Sequence, residues 1–90
     1  MEETIVKKFT ISNELGLHAR AAASFVKVAN RFRSKVNVKK DNVSVNGKSI
    51  MGVLMLAASK GTEIEISASG PDANILMKEI EKLISNNFGE

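Results

Sequence analysis

Glu63-Ile64-Glu65-Ile66-Ser67-Ala68 is the stretch of this 90-residue sequence that decides the fold. Its apolar residues occupy every second position, which is the period of a β-strand with one buried face and one face in water. Such a strand needs an apolar layer on one side only. The stretch therefore predicts a sheet that is covered on a single face.

Three further strands share this period of two. Asp41-Asn42 separates two valine pairs and suits a tight turn, so the second and third strands are predicted to form a hairpin. The apolar residues of the three strands are Ile5, Phe9 and Ile11, then Val36 and Val38, then Val43 and Val45.

Three segments change to the three-and-four spacing of an amphipathic helix. The first runs from Ala19 to Phe32, and the second is capped by Ser49 and continues through Leu56 before Lys60-Gly61 stops it. The third begins after Gly70-Pro71 and reaches about Asn87. Their apolar faces carry Ala22, Phe25, Val26, Ala29 and Phe32, then Met51, Val53, Leu54 and Met55, then Ala73, Leu76, Ile80, Leu83 and Ile84.

The order of elements is β-α-β-β-α-β-α. Four strands with one apolar face, and three helices with one apolar stripe each, predict an α+β fold. We expect an open-faced β-sandwich, in which a four-stranded antiparallel sheet is covered on one face by three helices. Residues 1–90 are short enough to form one domain.

The composition excludes several classes of protein. With no cysteine and one histidine, the chain cannot build a disulfide framework or a usual zinc site. No apolar stretch approaches the roughly 18 residues of a membrane span. We therefore expect a soluble cytoplasmic protein without membrane insertion, bound metal or cofactor.

Positive charge is concentrated in the N-terminal part of the chain. Nine of the 13 Lys and Arg residues lie in the first 40 positions, together with Glu2, Glu3 and Glu14. Such a bias favours encounter with an acidic partner, either a nucleic acid or an acidic protein surface.

His18 is the only histidine, and it directly precedes the first predicted helix. A neutral imidazole is nucleophilic near pH 7, and the first turn of a helix leaves backbone N–H groups without partners. An anion attached to this ring would meet those donors, and phosphate is the obvious anion.

Two separated motifs carry a family resemblance. Gly16-Leu17-His18-Ala19-Arg20 and Gly47-Lys48-Ser49-Ile50-Met51-Gly52 resemble the signature segments of HPr, the histidine-containing phosphocarrier protein of the phosphoenolpyruvate-dependent sugar phosphotransferase system. The spacing between them also matches. The resemblance extends over nearly the whole chain, including Lys60-Gly61 and Ser67-Ala68-Ser69-Gly70.

The resemblance implies a monomeric relay rather than an enzyme. His18 would accept a phosphoryl group from enzyme I and pass it to enzyme IIA, and Arg20 would stabilise the phosphate. Ser49 matches a regulatory serine that an HPr kinase/phosphorylase modifies in some bacteria, and the same residue also suits a simple N-cap. Partners would dock on two helical faces that comprise Ala19, Ala23, Lys27, Met51 and Leu54. Met55 adds apolar surface beside Met51 and Leu54, and the spacing of these three residues also fits the core.

One departure from the family pattern concerns Ala21, because a proline commonly follows the arginine in the family. Proline stiffens the unfolded chain, so its absence costs an expected ~0.4–1 kcal/mol. Ala21 retains an N–H group, which is a further donor to a phosphate. Phosphoryl transfer is therefore expected to survive, and the sequence does not determine the lifetime of the phosphohistidine.

Two alternatives stay open at the level of sequence. The run Ala21-Ala22-Ala23 is similar to members of the nitrogen-related branch of the phosphotransferase system, where the same chemistry controls other proteins. The second alternative is a small basic nucleic-acid-binding domain. At least three of the four phenylalanines fall on predicted core faces, which leaves almost no aromatic platform for bases and disfavours that reading.

Overall fold

The computed structural model describes residues 3–89 as a four-stranded antiparallel sheet with helices on one face. Met1, Glu2 and Glu90, which belong to the predicted domain 1–90, lie outside the described residues. The elements are β1 (Glu3–Thr10), α1 (Ala19–Ala29), β2 (Lys35–Lys40), β3 (Val43–Asn46), α2 (Ile50–Met55), β4 (Glu63–Gly70), α3 (Ala73–Ser85) and a 3₁₀ turn (Asn87–Gly89). The predicted order and the open-faced sandwich are confirmed.

The strand order β1-β4-β2-β3 places β4 in the interior of the sheet, where it pairs with β1 and β2. Ile64, Ile66 and Ala68 are buried against the helices, whereas Glu63 and Glu65 lie on the opposite, accessible face. The alternation in the sequence therefore matches a strand that is buried on one side only.

The register brings the loop after β1 beside the turn before β4. Thr10 pairs with Glu63, and beyond the strands Ile11 exchanges two hydrogen bonds with that turn. Its N–H group donates to Thr62 O at 2.9 Å, and its carbonyl accepts from the Gly61 N–H group at 2.8 Å. This end of the sheet therefore fixes where the chain leaves β1 for α1.

The first helix ends at Ala29 and not at Phe32, so that predicted boundary is wrong. Asn30 caps it: the side-chain amide donates to Val26 O at 3.0 Å and to Lys48 O at 3.3 Å. A side chain that satisfies the last carbonyls of a helix ends it there. Phe32 lies beyond the helix and still packs against the core.

The other two helices also end earlier than predicted. The second helix ends at Met55, because Ala57 adopts a left-handed conformation with φ of 49° and turns the chain before Lys60-Gly61. The third ends at Ser85, and Asn87 belongs to a separate turn. Pro71 precedes Asp72, the N-cap residue of α3, and lies outside the first helical turn.

Candidate functional site

The loop between β1 and α1 carries His18 and is held against the turn between α2 and β4. The Leu17 N–H group donates to Ala58 O at 2.8 Å, and the buried Asn13 side-chain amide donates to Gly16 O at 2.8 Å. Gly16 has a φ of +64°, and a Cβ atom at this position would lie 2.5 Å from Ala58 O. Only glycine allows the loop to approach this closely.

His18 is the N-cap residue of α1, with an extended backbone. Its carbonyl accepts from the Ala22 N–H group at 2.8 Å, and its ring Nδ1 accepts from the Arg20 N–H group at 3.3 Å. An acceptor nitrogen carries a lone pair, so the neutral ring has its hydrogen on Nε2. The half-exposed ring therefore directs the lone pair of Nδ1 toward the N-terminus of the helix.

The first turn of α1 favours negative charge. It contains no acidic residue, and the exposed Arg20 adds a cation to the positive end of the helix dipole. Among residues 3–89 the Arg20 guanidinium forms no ion pair, so its planar set of donors is available to an incoming anion. Ala21, which replaces the family proline, is buried in the same turn.

Ser49 lies at the N-terminus of α2, the helix that packs against α1. Its Oγ accepts from the Gly52 N–H group at 3.1 Å, so the prediction of an N-cap is confirmed. The preceding turn is fixed by Asn46, whose Oδ1 accepts from the Lys48 N–H group at 2.9 Å. A phosphate on Ser49 would also lie at a helix N-terminus, where negative charge is favourable.

The residues predicted to bind partners differ in exposure. Ala19, Ala23 and Lys27 are exposed on α1, and Met51 is 70% exposed on α2. Leu54 is half-buried and packs against the core, so much of its side chain serves the fold.

Sequence reasoning missed one of the most exposed apolar side chains. Leu15, 67% exposed, stands in the loop that leads to His18, whereas Met55, 76% exposed, belongs to the apolar surface expected near the first helix. Leu15 had a usable signal, because a large apolar residue in a polar loop has no periodicity that would bury it. Exposed methionine and leucine side chains of this kind are typical of adaptable protein-binding surfaces.

The site lies on an accessible surface rather than in a cleft. A groove of about 620 Å³ lies elsewhere and contains neither His18 nor Ser49; its lining includes Lys8, Lys39 and Glu65. Within residues 3–89 no group of three or more His, Asp or Glu side chains is arranged to hold a metal ion, and no helix is long and apolar enough to cross a bilayer. The arrangement suits a group that must be reached by other proteins.

A ring nitrogen at a helix N-terminus, on an open-faced β-sandwich, is the arrangement expected of a small phosphoryl-group carrier. Residues 5–86 match the family described as "PTS HPr component phosphorylation site". The phosphocarrier protein HPr of Neisseria meningitidis serogroup A is 51% identical over 80 residues, which cover 89% of this chain and 90% of that protein. This chain belongs to the HPr family, the phosphocarrier proteins of the phosphotransferase system.

Solved structures show the same relationship. HPr from Thermoanaerobacter tengcongensis superposes with a TM-score of 0.92 at 44% identity, covering 96% of this chain and 97% of that one. A second structure from that organism, described as an HPr dimer, has a TM-score of 0.78 at 46% identity over 91% of this chain and 94% of that one.

Proposed function

We propose that His18 is the residue that carries the phosphoryl group, which it receives from phospho-enzyme I and delivers to enzyme IIA. The observation that supports this most strongly is the hydrogen bond from the Arg20 N–H group to Nδ1 of His18, 3.3 Å long. It favours Nδ1 as the nitrogen that bears the lone pair, beside the helix donors. The family supplies the phosphoryl chemistry, and this geometry supports His18 as the residue.

The transfer is an in-line displacement at phosphorus. The Nδ1 lone pair forms the new N–P bond as the bond from phosphorus to the donor breaks, and that electron pair returns to the donor. The hydrogen stays on Nε2. The phosphate oxygens then replace Nδ1 as acceptors of the Arg20 N–H group, and the helix terminus contributes ~0.3–1 kcal/mol. Because this stabilisation is modest, the phosphoryl group can leave again for enzyme IIA.

Arg20 is the residue proposed to accompany the phosphate. Its guanidinium can donate two parallel hydrogen bonds to phosphate oxygens, which a lysine cannot do. The Ala21 N–H group, in the same turn, is a further donor. The resulting unit is a carrier and not a catalyst, and it uses no metal or cofactor.

The partners are proposed to dock on the surface around His18. We define this docking surface as Leu15, Ala19, Ala23, Lys27, Met51 and Met55, with Leu54 at its base. Its soft apolar side chains fit varied partners, and Lys27 favours acidic ones. The protein acts in this scheme as a cytoplasmic monomer, since a second copy over this surface would block the partners.

Ser49 is proposed to regulate the carrier through HPr kinase/phosphorylase. Phosphate at this N-cap adds about 1.5 to 2 negative charges beside the docking surface without opposing the dipole of α2. The added charge would repel an acidic enzyme I. Regulation therefore requires no unfolding of the helix.

The nucleic-acid alternative lacks its main requirement. Phe25 and Phe88 are buried, and the partly buried Phe9 and Phe32 pack against the core, so the phenylalanines leave little ring surface for stacking.

The proposal is tested by intact mass spectrometry after incubation with phosphoenolpyruvate, magnesium and a matched enzyme I. We expect one acid-labile phosphate on the native chain and none on His18→Ala. Far-UV circular dichroism of His18→Ala supplies the folding control. A phosphate that persists in the variant would assign the chemistry to another residue.

A further inference from the structure

The C-terminal turn, Asn87–Gly89, holds two neighbouring non-glycine residues in left-handed conformations. Asn87 has a φ of 53° and Phe88 a φ of 57°. Asparagine tolerates this region, but a phenylalanine adopts it only with backbone strain. Such a conformation persists only where surrounding contacts fix it.

Two contacts fix this turn. Phe88 is 5% exposed and belongs to the same buried cluster as Ile11 and Leu17, which flank the loop before His18. The Asn87 side chain makes the second contact, because its Oδ1 accepts a hydrogen bond from Ser12 Oγ at 2.7 Å. The turn also packs against both α1 and α3.

The hydrogen bond from Ser12 restrains the loop at its first residue. At the other end of the loop, Leu17 is bonded to Ala58. The chain from Ser12 to Leu17 is therefore held at both ends, and His18 follows directly. This short loop is the segment through which a shift at Ser12 would reach the imidazole ring.

We propose that Asn87 is a positioning residue for phosphoryl transfer, which acts through Ser12 and the loop on the placement of Nδ1 of His18 at the N-terminus of α1. The inference rests on the proposed role of His18 as acceptor. Asn87 does not touch the phosphoryl group in this scheme. Asn87 instead narrows the range of positions of the His18 ring. This raises the fraction of encounters with phospho-enzyme I in which Nδ1 is aligned for displacement.

The test compares Ser12→Ala, Asn87→Gly and the double variant, with Ser44→Ala as control. Glycine accepts the φ of 53° without strain, so Asn87→Gly removes the acceptor without adding backbone strain. Ser44 is an exposed serine of β3, outside the loop. Asn87→Asp is the rescue variant, because its carboxylate accepts the same hydrogen bond. The readouts are kcat and KM of enzyme I with each variant as acceptor, and the ring ¹⁵N shifts of His18.

Each single variant is expected to lower kcat by about three- to tenfold at unchanged KM and to move the ¹⁵N shifts, with no further loss in the double variant. Asn87→Asp and Ser44→Ala are expected to match the native chain. Unchanged kcat and ring shifts in folded Ser12→Ala and Asn87→Gly would overturn this inference alone. Phosphorylation of His18→Ala would overturn it together with the proposed function.

Discussion

Gly16 lies so close to Ala58 that a Cβ atom on the glycine would be 2.5 Å from the Ala58 carbonyl oxygen. This contact joins the loop before His18 to the turn after α2. Gly16→Ala introduces both a steric overlap and a left-handed alanine, so we expect a loss of about 2–4 kcal/mol in the free energy of unfolding. Urea denaturation measures this loss.

Gly61→Ala is the matched control for that prediction. Gly61 also has a positive φ, +90°, but nothing lies within 4 Å of a Cβ atom there. The control therefore contains backbone strain without the overlap, and a smaller loss is expected. Equal losses in the two variants would show that the approach to Ala58 has no energetic consequence.

Arg20→Ala is expected to slow phosphoryl transfer while leaving the fold intact. Removal of a charged hydrogen-bond donor from a phosphate costs about 1.5–3 kcal/mol, which corresponds to a rate reduced roughly 10- to 160-fold. The free energy of unfolding should change by no more than about 0.5 kcal/mol, because the Arg20 side chain is exposed. The transfer rate of Arg20→Lys should fall between those of the native chain and Arg20→Ala. Rapid-quench kinetics with phospho-enzyme I provide the measurement, and an effect no larger than that of Arg31→Ala would contradict the assigned role.

Two substitutions at Ser49 separate its capping role from its regulatory role. Ser49→Ala removes the hydrogen bond to Gly52 and should cost about 0.5–2 kcal/mol of stability, with an unchanged KM for enzyme I. Ser49→Asp retains a capping oxygen and adds a charge. It should therefore raise the KM of enzyme I for the carrier and lose less stability than Ser49→Ala. If Ser49→Asp showed the KM of Ser49→Ala, charge at this position would not control docking.

Asp72 makes stability depend on pH in the acid range. Its pKa is lowered from 3.8 to about 2, first by the Ser34 hydroxyl and then by the Arg33 N–H group, which donate to the carboxylate at 2.6 Å and 3.0 Å. The folded protein therefore binds fewer protons than the unfolded chain, and the stabilisation is present above about pH 4 and lost as pH falls through about 2.

Urea denaturation between pH 2 and pH 5 checks this dependence. Asp72→Asn should flatten the decline in unfolding free energy over that interval, and Ser34→Ala, which removes the largest cause of the lowered pKa, should flatten it in part. A decline in both variants as steep as in the native chain would assign the acid sensitivity to other carboxyl groups.

The sequence predicted those parts of the fold that depend on local pattern. Ile64, Ile66 and Ala68 alternate with polar residues, and this alone identifies a strand that is buried on one side. The hydroxyl of Ser49 is a sufficient signal for a helix N-terminus. Both features depend on residues that are neighbours in the chain, so no tertiary information is needed.

The helix ends depended instead on partners that are remote in sequence or on local backbone geometry. The first helix ends early because the Asn30 side chain bonds to Val26 and to Lys48, and the second ends before the left-handed Ala57. Alanine gives no sequence signal for that conformation. The contact between Ser12 and Asn87 was equally hidden, since 75 positions separate the two residues.

The site was predictable in its chemistry and less so in its surroundings. One histidine before a helical pattern identified the acceptor candidate, but only the coordinates assign the lone pair to Nδ1 through the N–H group of Arg20. The spacing of Met55 fits a core position as well as an exposed docking surface, so the sequence leaves its exposure open. Short helices bury too few positions for periodicity to separate the two cases.

The central claim is that the N-terminus of α1 presents Nδ1 of His18 to the phosphoryl group. Two-dimensional ¹H–¹⁵N spectroscopy of the His18 ring, after phosphorylation by enzyme I and phosphoenolpyruvate, tests it most directly. The expected result is ³¹P coupling at Nδ1, a proton on Nε2 and a shifted amide resonance for Arg20. Coupling at Nε2, or an unmodified ring in a phosphorylated chain, would contradict it.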